Sequence, residues 1–327
     1  MVEKITAQIR TENPEFIVVK MDLFAAGSEE EFLENFSREV IKASSTKIEE
    51  WLENSKKLFQ KLVPKFEFNI QPDSDFSISF DWKEARKNKE EILNLPETLA
   101  TIKNKKVLVC IDEFQNLAQF QDFENIEKTM RSVWQKQKNV VYCLYGSKRS
   151  MMQDIFTNAS KPFYKFGDIF WLQKIKTEKW TAFIKEGFRK TGRTIDDDFA
   201  EKIPVLMKNH SWYVQQFSFY IWAETEQKVT QEIFDKARQR VIEGNEPLFK
   251  NMAEGLSFGQ INLIKAVLKG ETQLSAKKTL EKYNLGTSAS VNKNKQTLIN
   301  KDILNQTDDG FELLDPVFEL WFRKLYF

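Results

Sequence analysis

Three short apolar stretches, each bounded by polar or turn residues, stand out along the chain. They are rich in β-branched residues and Phe, a pattern that predicts strands buried on both faces of a parallel sheet. A further stretch at 168–175 predicts an edge strand. The three main stretches are FIVVKMDLF (16–24), KVLVCIDEF (106–114) and NVVYCLYGS (139–147).

Helical patterns separate these stretches. The N-terminal MVEKITAQIR predicts a helix with Val2, Ile5 and Ile9 on one face. A second helix is predicted from Ser28 to about Leu62, because it opens with the capping signature Ser-Glu-Glu-Glu. Residues 120–137 also carry apolar side chains at helical spacing. Since strands and helices alternate, we expect an α/β fold.

One segment, at about 64–83, follows a different pattern. Its sequence KFEFNIQPDSDFSISFDW alternates apolar and polar residues on both sides of a Pro-Asp-Ser-Asp turn. This predicts a β-hairpin insert. Its apolar face suits packing against a helix, and the alternative is an edge strand that docks a partner.

After residue 175 the strand pattern stops. Residues 176–248 predict an all-helical domain, and 249–327 predict three helices and a hairpin, the arrangement of a winged helix-turn-helix. We therefore expect three parts, at 1–175, 176–248 and 249–327. Two aromatic groups in these helical parts are expected to be core because of their helical spacing: Trp212, Phe217, Tyr220 and Trp222, and then Phe318, Leu320, Trp321 and Phe322.

The composition is that of a globular protein, with 41% apolar and 30% charged residues among 327. Lys and Arg (49) nearly balance Asp and Glu (48), so no overall field draws the chain to nucleic acid or to an anionic membrane. No apolar run approaches the roughly 20 residues of a membrane span. With no signal pattern at the N-terminus, these features predict a cytoplasmic protein. Cys110 and Cys143 lie in apolar runs and are expected to pack in the core.

The most specific chemical signal is VLVCIDEFQNL, an apolar strand that ends in Asp112 and Glu113. This is the Walker B arrangement, in which a strand delivers two carboxylates to the carboxyl edge of the sheet. There, Asp112 would hold Mg²⁺ through its water shell and Glu113 would act as general base toward water. The alternative is an ordinary strand that enters a polar loop.

The next strand ends in Gly146 and Ser147, followed by Lys148 and Arg149. A polar residue after the strand beside Walker B is the position of a sensor of the γ-phosphate, and Ser147 occupies it. Ser147 is also a candidate N-cap for the helix SMMQDIF, and the two roles are compatible. Arg149 is a candidate contact to nucleotide, with solvation as the alternative.

The other half of such a site is missing from the sequence. A phosphate-binding loop has the pattern Gly-x-x-x-x-Gly-Lys-Ser/Thr, and this pattern does not occur in the chain. Because the loop should precede a helix like the first one here, we expect its strand and loop to have been lost upstream of Met1. The sheet would then either carry a gap between 139–147 and 168–175, exposing residues such as Val109 and Val141, or close by rearrangement.

In the order of its segments, the chain resembles the archaeal-type ATPases of the STAND branch of AAA+ P-loop proteins. The resemblance covers nearly the whole chain. It implies an α/β ATPase core without its first strand, a helical lid and a C-terminal winged helix, with ATP and Mg²⁺ as cofactors. It assigns Asp112 to magnesium, Glu113 to catalysis and Ser147 to sensing. The segments are FIVVKMDLF, IDEFQNL, LYGSKRSMMQDIF, KPFYKFGDIFWL, FIKEGFRKTGR, NHSWYVQQFSFYIW and LLDPVFELWFRK.

The same resemblance places His210 where a lid turn meets the nucleotide, although Ser211 stands where the family often has Pro. The competing role for His210 is to cap the helix that follows. No arginine that would complete a neighbour's site stands out. The candidates are Arg149, Arg189 and Arg193.

Three functions fit the sequence. The first is an ATP-driven switch, inactive as this chain because the phosphate loop is absent. The second is a DNA-binding winged-helix regulator, whose recognition helix would present Asn292, Lys293, Asn294 and Lys295. Nearby acids dilute its charge, so DNA is the less expected partner. The third is a non-hydrolysing module that binds a protein partner or self-associates.

Overall fold

The computed structural model describes residues 1–45, 50, 53, 66–71, 75–81, 87–307 and 310–327. The chain forms two compact units, Met1–Ile169 and Phe170–Phe327. The first unit contains, in chain order, α1 (Val2–Glu12), β1 (Phe16–Asp22), α2 (Glu29–Ser44), β2 (Phe66–Gln71), β3 (Asp75–Phe80), α3 (Lys89–Leu93), α4 (Leu95–Lys103), β4 (Lys106–Asp112), α5 (Phe123–Trp134), β5 (Val140–Leu144) and α6 (Arg149–Thr157).

A parallel sheet of three strands, in the order β1-β4-β5, organises this unit. All three strands are the ones that the apolar stretches predicted. In the middle strand β4, Val107, Val109 and Ile111 are fully buried. They belong to one hydrophobic core together with side chains of the helices and of the hairpin. Parallel strands buried in this way are the reason for their nearly continuous apolar sequence. The predicted α/β class is confirmed.

The predicted hairpin insert forms from β2 and β3, which pair antiparallel. On β3, the alternating side chains Phe76, Ile78 and Phe80 are buried in the core of the first unit. Helix α2 packs against β3, and Glu34 of that helix accepts a hydrogen bond from the Phe80 N–H at 3.3 Å. Helix packing, rather than partner docking, therefore explains the apolar face of β3. The apolar side chains predicted on β2 lie outside the described residues.

The predicted edge strand at 168–175 is wrong, because this segment has no regular secondary structure and Phe170 is 82% exposed. A strand needs a neighbour to satisfy its backbone groups, and no described strand pairs with this segment. The outer edge of β5 is likewise unpaired within the described residues. Val141 is 54% exposed, as predicted, whereas the expected exposure of Val109 is wrong because β4 is the central strand.

Three helix predictions need adjustment. Helix α1 forms, but Thr6 is its buried residue and Ile5 is exposed. Ser28 caps α2 by accepting from the Glu31 N–H at 3.2 Å, and the helix ends at Ser44; most of the predicted remainder to residue 62 lies outside the described residues. Helix α5 begins only after a short 3-10 helix, Phe114–Gln119.

The second unit is helical apart from one small hairpin and has its own continuous apolar core. The predicted boundary at 248/249 lies within α10, and the three-part division remains a prediction. The elements are α7 (Thr177–Lys190), α8 (Asp197–Leu206), α9 (Ser211–Glu224), α10 (Gln231–Glu254), α11 (Phe258–Leu268), α12 (Lys277–Tyr283), α13 (Ser288–Asn300), β6 (Leu304–Thr307), β7 (Gly310–Leu313) and α14 (Pro316–Tyr326).

Of the aromatic side chains predicted to be core in this unit, all but one are buried in its core or packed against it. Phe217 and Phe318 are fully buried, and Phe318 packs edge-on against Phe249 of α10. Trp212, expected in the core, is 65% exposed because it lies in the first turn of α9 on the side away from Phe217. Within the described residues, no helix is both long and apolar enough to cross a bilayer.

Candidate functional site

Two acidic residues lie side by side at the carboxyl edge of the sheet. The parallel register of β1 and β4 pairs Asp22 with Asp112, the last residue of each strand. Asp112 accepts a hydrogen bond from the backbone N–H of Glu113 at 2.8 Å. Burial raises the pKa of Asp112, and the negative charges of Glu113 and Asp22 raise it further. This edge therefore concentrates negative charge where ligands bind in α/β folds.

The backbone after β4 turns sharply at Glu113. Its φ of 48° is in the left-handed region, which is uncommon for a residue with a side chain. The turn directs the next residue, the fully buried Phe114, back toward β5, where its N–H donates to the carbonyl of Tyr145 at 3.0 Å. The Tyr145 N–H in turn donates to the carbonyl of Ile111 at 3.0 Å. These backbone bonds join the ends of β4 and β5.

The two predicted polar residues meet across this junction. Ser147 Oγ donates a hydrogen bond to Glu113 Oε2 at 3.0 Å. The structure thus brings together Asp112, Glu113 and Ser147. The predicted capping role of Ser147 is wrong, because α6 starts at Arg149 with Lys148 at its N-cap, and the Ser147 hydroxyl is directed to Glu113 instead.

Sequence reasoning missed the support of Glu113 by Gln115 and the role of Gly146 beside it. The side chain of Gln115 is completely buried, and its Nε2 donates to the same Glu113 oxygen that Ser147 contacts. Its Oε1 has no hydrogen-bond partner among the described residues and lies against Gly146. A Cβ added at Gly146 would overlap this oxygen and lie 2.9 Å from Gln115 Cδ. The absence of a side chain at position 146 therefore makes room for Gln115.

The other candidate residues of the first unit are more open. Arg149 is exposed at the first turn of α6, next to the exposed Lys148. A nucleotide contact by Arg149 remains a prediction.

His210 belongs to the second unit, at the N-cap position of α9, but its side chain makes no capping hydrogen bond. Its ring lies 4.9 Å from the ring of Tyr213, and Nδ1 has no partner among the described residues. Burial lowers its pKa, an effect that the nearby Asp315 partly opposes. A role in contacting nucleotide is untested.

The other two arginines considered as candidates to complete a neighbour's site, Arg189 and Arg193, contact residues of the second unit. Arg189 forms two hydrogen bonds with Glu186, at 2.7 and 2.8 Å. The guanidinium of Arg193 lies 4.2 Å from the centre of the Trp222 ring.

The candidate DNA-contacting residues lie on α13. Asn292 and Lys293 are exposed, whereas Lys295 is half-buried with Nζ 5.4 Å from the centre of the Phe311 ring. Phe311 belongs to β7, so Lys295 contacts the small hairpin of its own unit. Of the four residues expected on the recognition helix, Asn292 and Lys293 are exposed and Asn294 and Lys295 are half-buried, and their contact with DNA stays a prediction.

The acidic edge fits a magnesium ion only in combination with other ligands. Within the described residues, no group of three or more His, Cys, Asp or Glu side chains could hold a metal by itself. Mg²⁺ commonly keeps several water molecules and binds through one or two carboxylates together with substrate phosphates. Asp112 and Glu113 fit that pattern, in which the phosphates supply the remaining ligands.

One described segment resembles a phosphate loop in its sequence but not in its structure. The sequence Gly187-Phe-Arg-Lys-Thr-Gly192-Arg-Thr has the glycine spacing of a phosphate loop, with Arg193 in place of Lys. It lies at the carboxyl end of α7 instead of between a strand and a helix. Helix carboxyl ends present carbonyl oxygens, which repel anions. This segment therefore does not replace the missing loop.

Comparisons with known proteins agree with the architecture. A family described as a probable winged helix domain matches residues 247–324. The Walker-type ATPase of Pyrococcus abyssi superposes with a TM-score of 0.64 over 98% of this chain and 87% of that one, at 16% identity. The ORC2 protein of Aeropyrum pernix, in ADPNP-ADP complexes, gives 0.55 over 99% and 83%, at 12% identity. No curated protein matches the sequence.

At these identities the likeness concerns the fold. The chain has an AAA+ ATPase-like fold with a C-terminal winged helix. The resemblance inferred from the order of the sequence segments is confirmed at that level.

Proposed function

We propose that this chain is a nucleotide-responsive switch module of the AAA+ class, which holds the acidic half of an ATP-Mg²⁺ site. The hydrogen bond from Ser147 to Glu113, at 3.0 Å, is the observation that carries the proposal. It joins the serine in the loop after β5 to the carboxylate after β4, as a sensor and a general base require. Asp112, one residue earlier, is oriented by its own bond to the Glu113 N–H and takes the magnesium side.

The same residues predict what the chain does not do alone. A phosphate loop contributes several backbone N–H groups and a lysine to the β and γ phosphates. The chain contains no sequence of this kind. We therefore expect weak nucleotide binding through the metal side and no ATP turnover by this chain. The assignment of the chain to the STAND branch and to the cytoplasm belongs to the same proposal.

Backbone amide spectra with Mn²⁺-ATP as a paramagnetic probe test the proposal. Bound Mn²⁺ should broaden the amide signals of residues 111–115 and 145–147 first. Asp112→Asn should abolish this selective broadening. Glu12→Gln is the matched control, because Glu12 is an exposed carboxylate four residues before β1 begins, at the opposite edge of the sheet. Broadening centred elsewhere, or unchanged in the Asp112 variant, would refute the acidic half-site.

Calorimetry with Mg-ATP provides a second, independent measurement. The proposal expects no binding in the micromolar range, since the chain lacks the sequence of a phosphate-binding loop. Tight binding that survives Asp112→Asn would mean that nucleotide is held at a different place in the chain.

A DNA-binding winged helix is the second candidate, favoured by the exposed pair Asn292 and Lys293 on α13. Duplex DNA binding that weakens steeply with salt would support it, because phosphate contacts release counterions. Lys293→Met should then reduce the salt slope, while Lys278→Met, an equally exposed lysine on α12, should leave it unchanged. Equal effects of the two variants would indicate general charge attraction only.

A further inference from the structure

The two cysteines of the chain face each other across the sheet. Cys110 on β4 and Cys143 on β5 are register partners in a parallel pair, so their side chains project from the same face. Neighbouring strands lie about 4.7–4.9 Å apart, within the range of about 4.4–6.8 Å that joins the Cα atoms of disulfides. The two sulfur atoms can therefore bond without a change of fold.

Access to the two thiols is unequal. Cys110 is 1% exposed and is shielded within the central strand. Cys143 is half-buried on β5, whose outer edge is unpaired within the described residues and whose neighbour Val141 is largely exposed. A dissolved reagent would thus meet Cys143 first.

The local chemistry favours the same order. The neighbouring Cys110 thiol lowers the pKa of Cys143. The thiolate is the reactive form of cysteine, so a lowered pKa increases the reactive fraction of Cys143. This agrees with the order of reaction that exposure already indicates.

We propose that Cys110 and Cys143 form a redox-active dithiol that reacts with low-molecular-weight disulfides such as oxidised glutathione. The Cys143 thiolate attacks one sulfur of glutathione disulfide, which releases one glutathione thiolate and leaves a mixed disulfide on Cys143. Cys110 then gives up its proton to water or to the released thiolate, and its sulfur attacks Cys143 Sγ. The second glutathione leaves, so two protein thiols are oxidised and one glutathione disulfide is reduced to two thiols.

The resulting disulfide is expected to be reversible. Side chains of a parallel register pair keep roughly the strand separation, whereas a relaxed disulfide brings its Cβ atoms to about 3.8 Å. Closing the bond therefore draws β5 toward β4 or strains the link. Strained disulfides have higher reduction potentials and are more readily reduced. The pair is thus suited to switching, and the inference is independent of nucleotide binding.

Mass spectrometry of the folded chain after incubation with oxidised glutathione tests this inference. Wild type should lose the mass of two hydrogen atoms and regain it with dithiothreitol. Cys110→Ser should stop at one bound glutathione on Cys143, because the resolving thiol is gone. Cys143→Ser should remain largely unmodified, because Cys110 is shielded. The chain has no other cysteine to confuse the result.

Reaction through the unfolded chain must be distinguished from reaction in the folded chain. The rate of closure should stay constant in low urea, below the unfolding transition, if the folded dithiol reacts. A rate that climbs with urea from the lowest concentrations would overturn the proposal. So would a stable glutathione adduct on wild type, or equal modification of the two single variants. Cys110→Ala serves as the second variant if the serine variant unfolds.

Discussion

Replacing Gly146 by Ala should destabilise the first unit although position 146 is exposed. The added methyl group would overlap Gln115 Oε1 and lie 2.9 Å from Gln115 Cδ. Gln115 is completely buried, so its side chain cannot move out of the way into solvent without leaving its site. The backbone at Gly146 has no positive φ, so the side-chain overlap alone produces the effect.

The magnitude follows from what Gln115 must give up. If the side chain stays, the site is overpacked at a cost of about 1–3 kcal/mol. If it moves, its hydrogen bond to the Glu113 carboxylate is lost, and a bond to a charged group contributes about 1.5–3 kcal/mol. One of the two costs must arise. We therefore expect Gly146→Ala to lower the free energy of unfolding of the first unit by about 2 kcal/mol.

The assay must report on the first unit alone, because a chain with two compact units need not unfold in one step. Hydrogen exchange followed by mass spectrometry in increasing urea gives this resolution, with peptides from 106–119 as reporters. Gly167→Ala is the matched control, since Gly167 is an exposed glycine of the same unit with nothing within 4 Å of the added Cβ. The control should shift the urea midpoint little.

A double variant decides whether the explanation is correct. In the background of Gln115→Ala, the methyl at position 146 meets no glutamine, so Gly146→Ala should cost less than about 0.5 kcal/mol. If the substitution costs as much there as in wild type, the contact with Gln115 is not the cause. An effect confined to peptides of the second unit would contradict the reasoning as well.

Three further predictions concern buried and edge groups. Burial raises the pKa of Glu127 above its ordinary 4.5, so the stability of the first unit should fall as pH rises through the folded pKa. Glu127→Gln should remove this decrease in a plot of urea midpoint against pH, whereas Glu124→Gln, an exposed control, should not. His210 is the only histidine, so a proton NMR titration should give one imidazole pKa, below 6.5; stability of the second unit should then fall as pH drops below 6.5, and a value above 6.5 would contradict its burial. The amide of Tyr145, directly after β5, donates to Ile111 of β4, whereas the amide of Leu144 faces the outer edge of β5, which no described strand pairs. Leu144 should therefore exchange faster in NMR hydrogen exchange, and the reverse order would mean that the edge is covered.

The sheet could be predicted from the sequence because a buried parallel strand is a contiguous run of apolar residues. The apolar residues of β4, such as Val107 and Ile111, and the carboxylates that follow them are contiguous in the chain. The carboxyl ends of neighbouring parallel strands share one edge, so the proximity of Glu113 and Ser147 could be predicted without coordinates.

The predictions that were wrong concern features that depend on pairing between distant segments. Residues 168–175 have the apolar pattern of a strand, but no described strand pairs with them. Val109 was expected at an open edge, and only the observed strand order shows that this edge belongs to β5. The support of Glu113 by Gln115 was not predictable either, because a buried glutamine and an exposed one look the same in sequence.

The arrangement of the acidic residues does not depend on a phosphate loop. Glu113 is fixed by its left-handed turn, by the bond between the Phe114 N–H and the Tyr145 carbonyl, and by the side chains of Ser147 and Gln115. All of these contacts come from the β4-β5 pair and the turns that follow it. The acidic side is therefore preorganised by the strand pair, and phosphate binding is a separable property. If the proposed function is correct, adding a phosphate-binding loop would complete the site without rebuilding its acidic half, because Ser147 and Glu113 already contact each other.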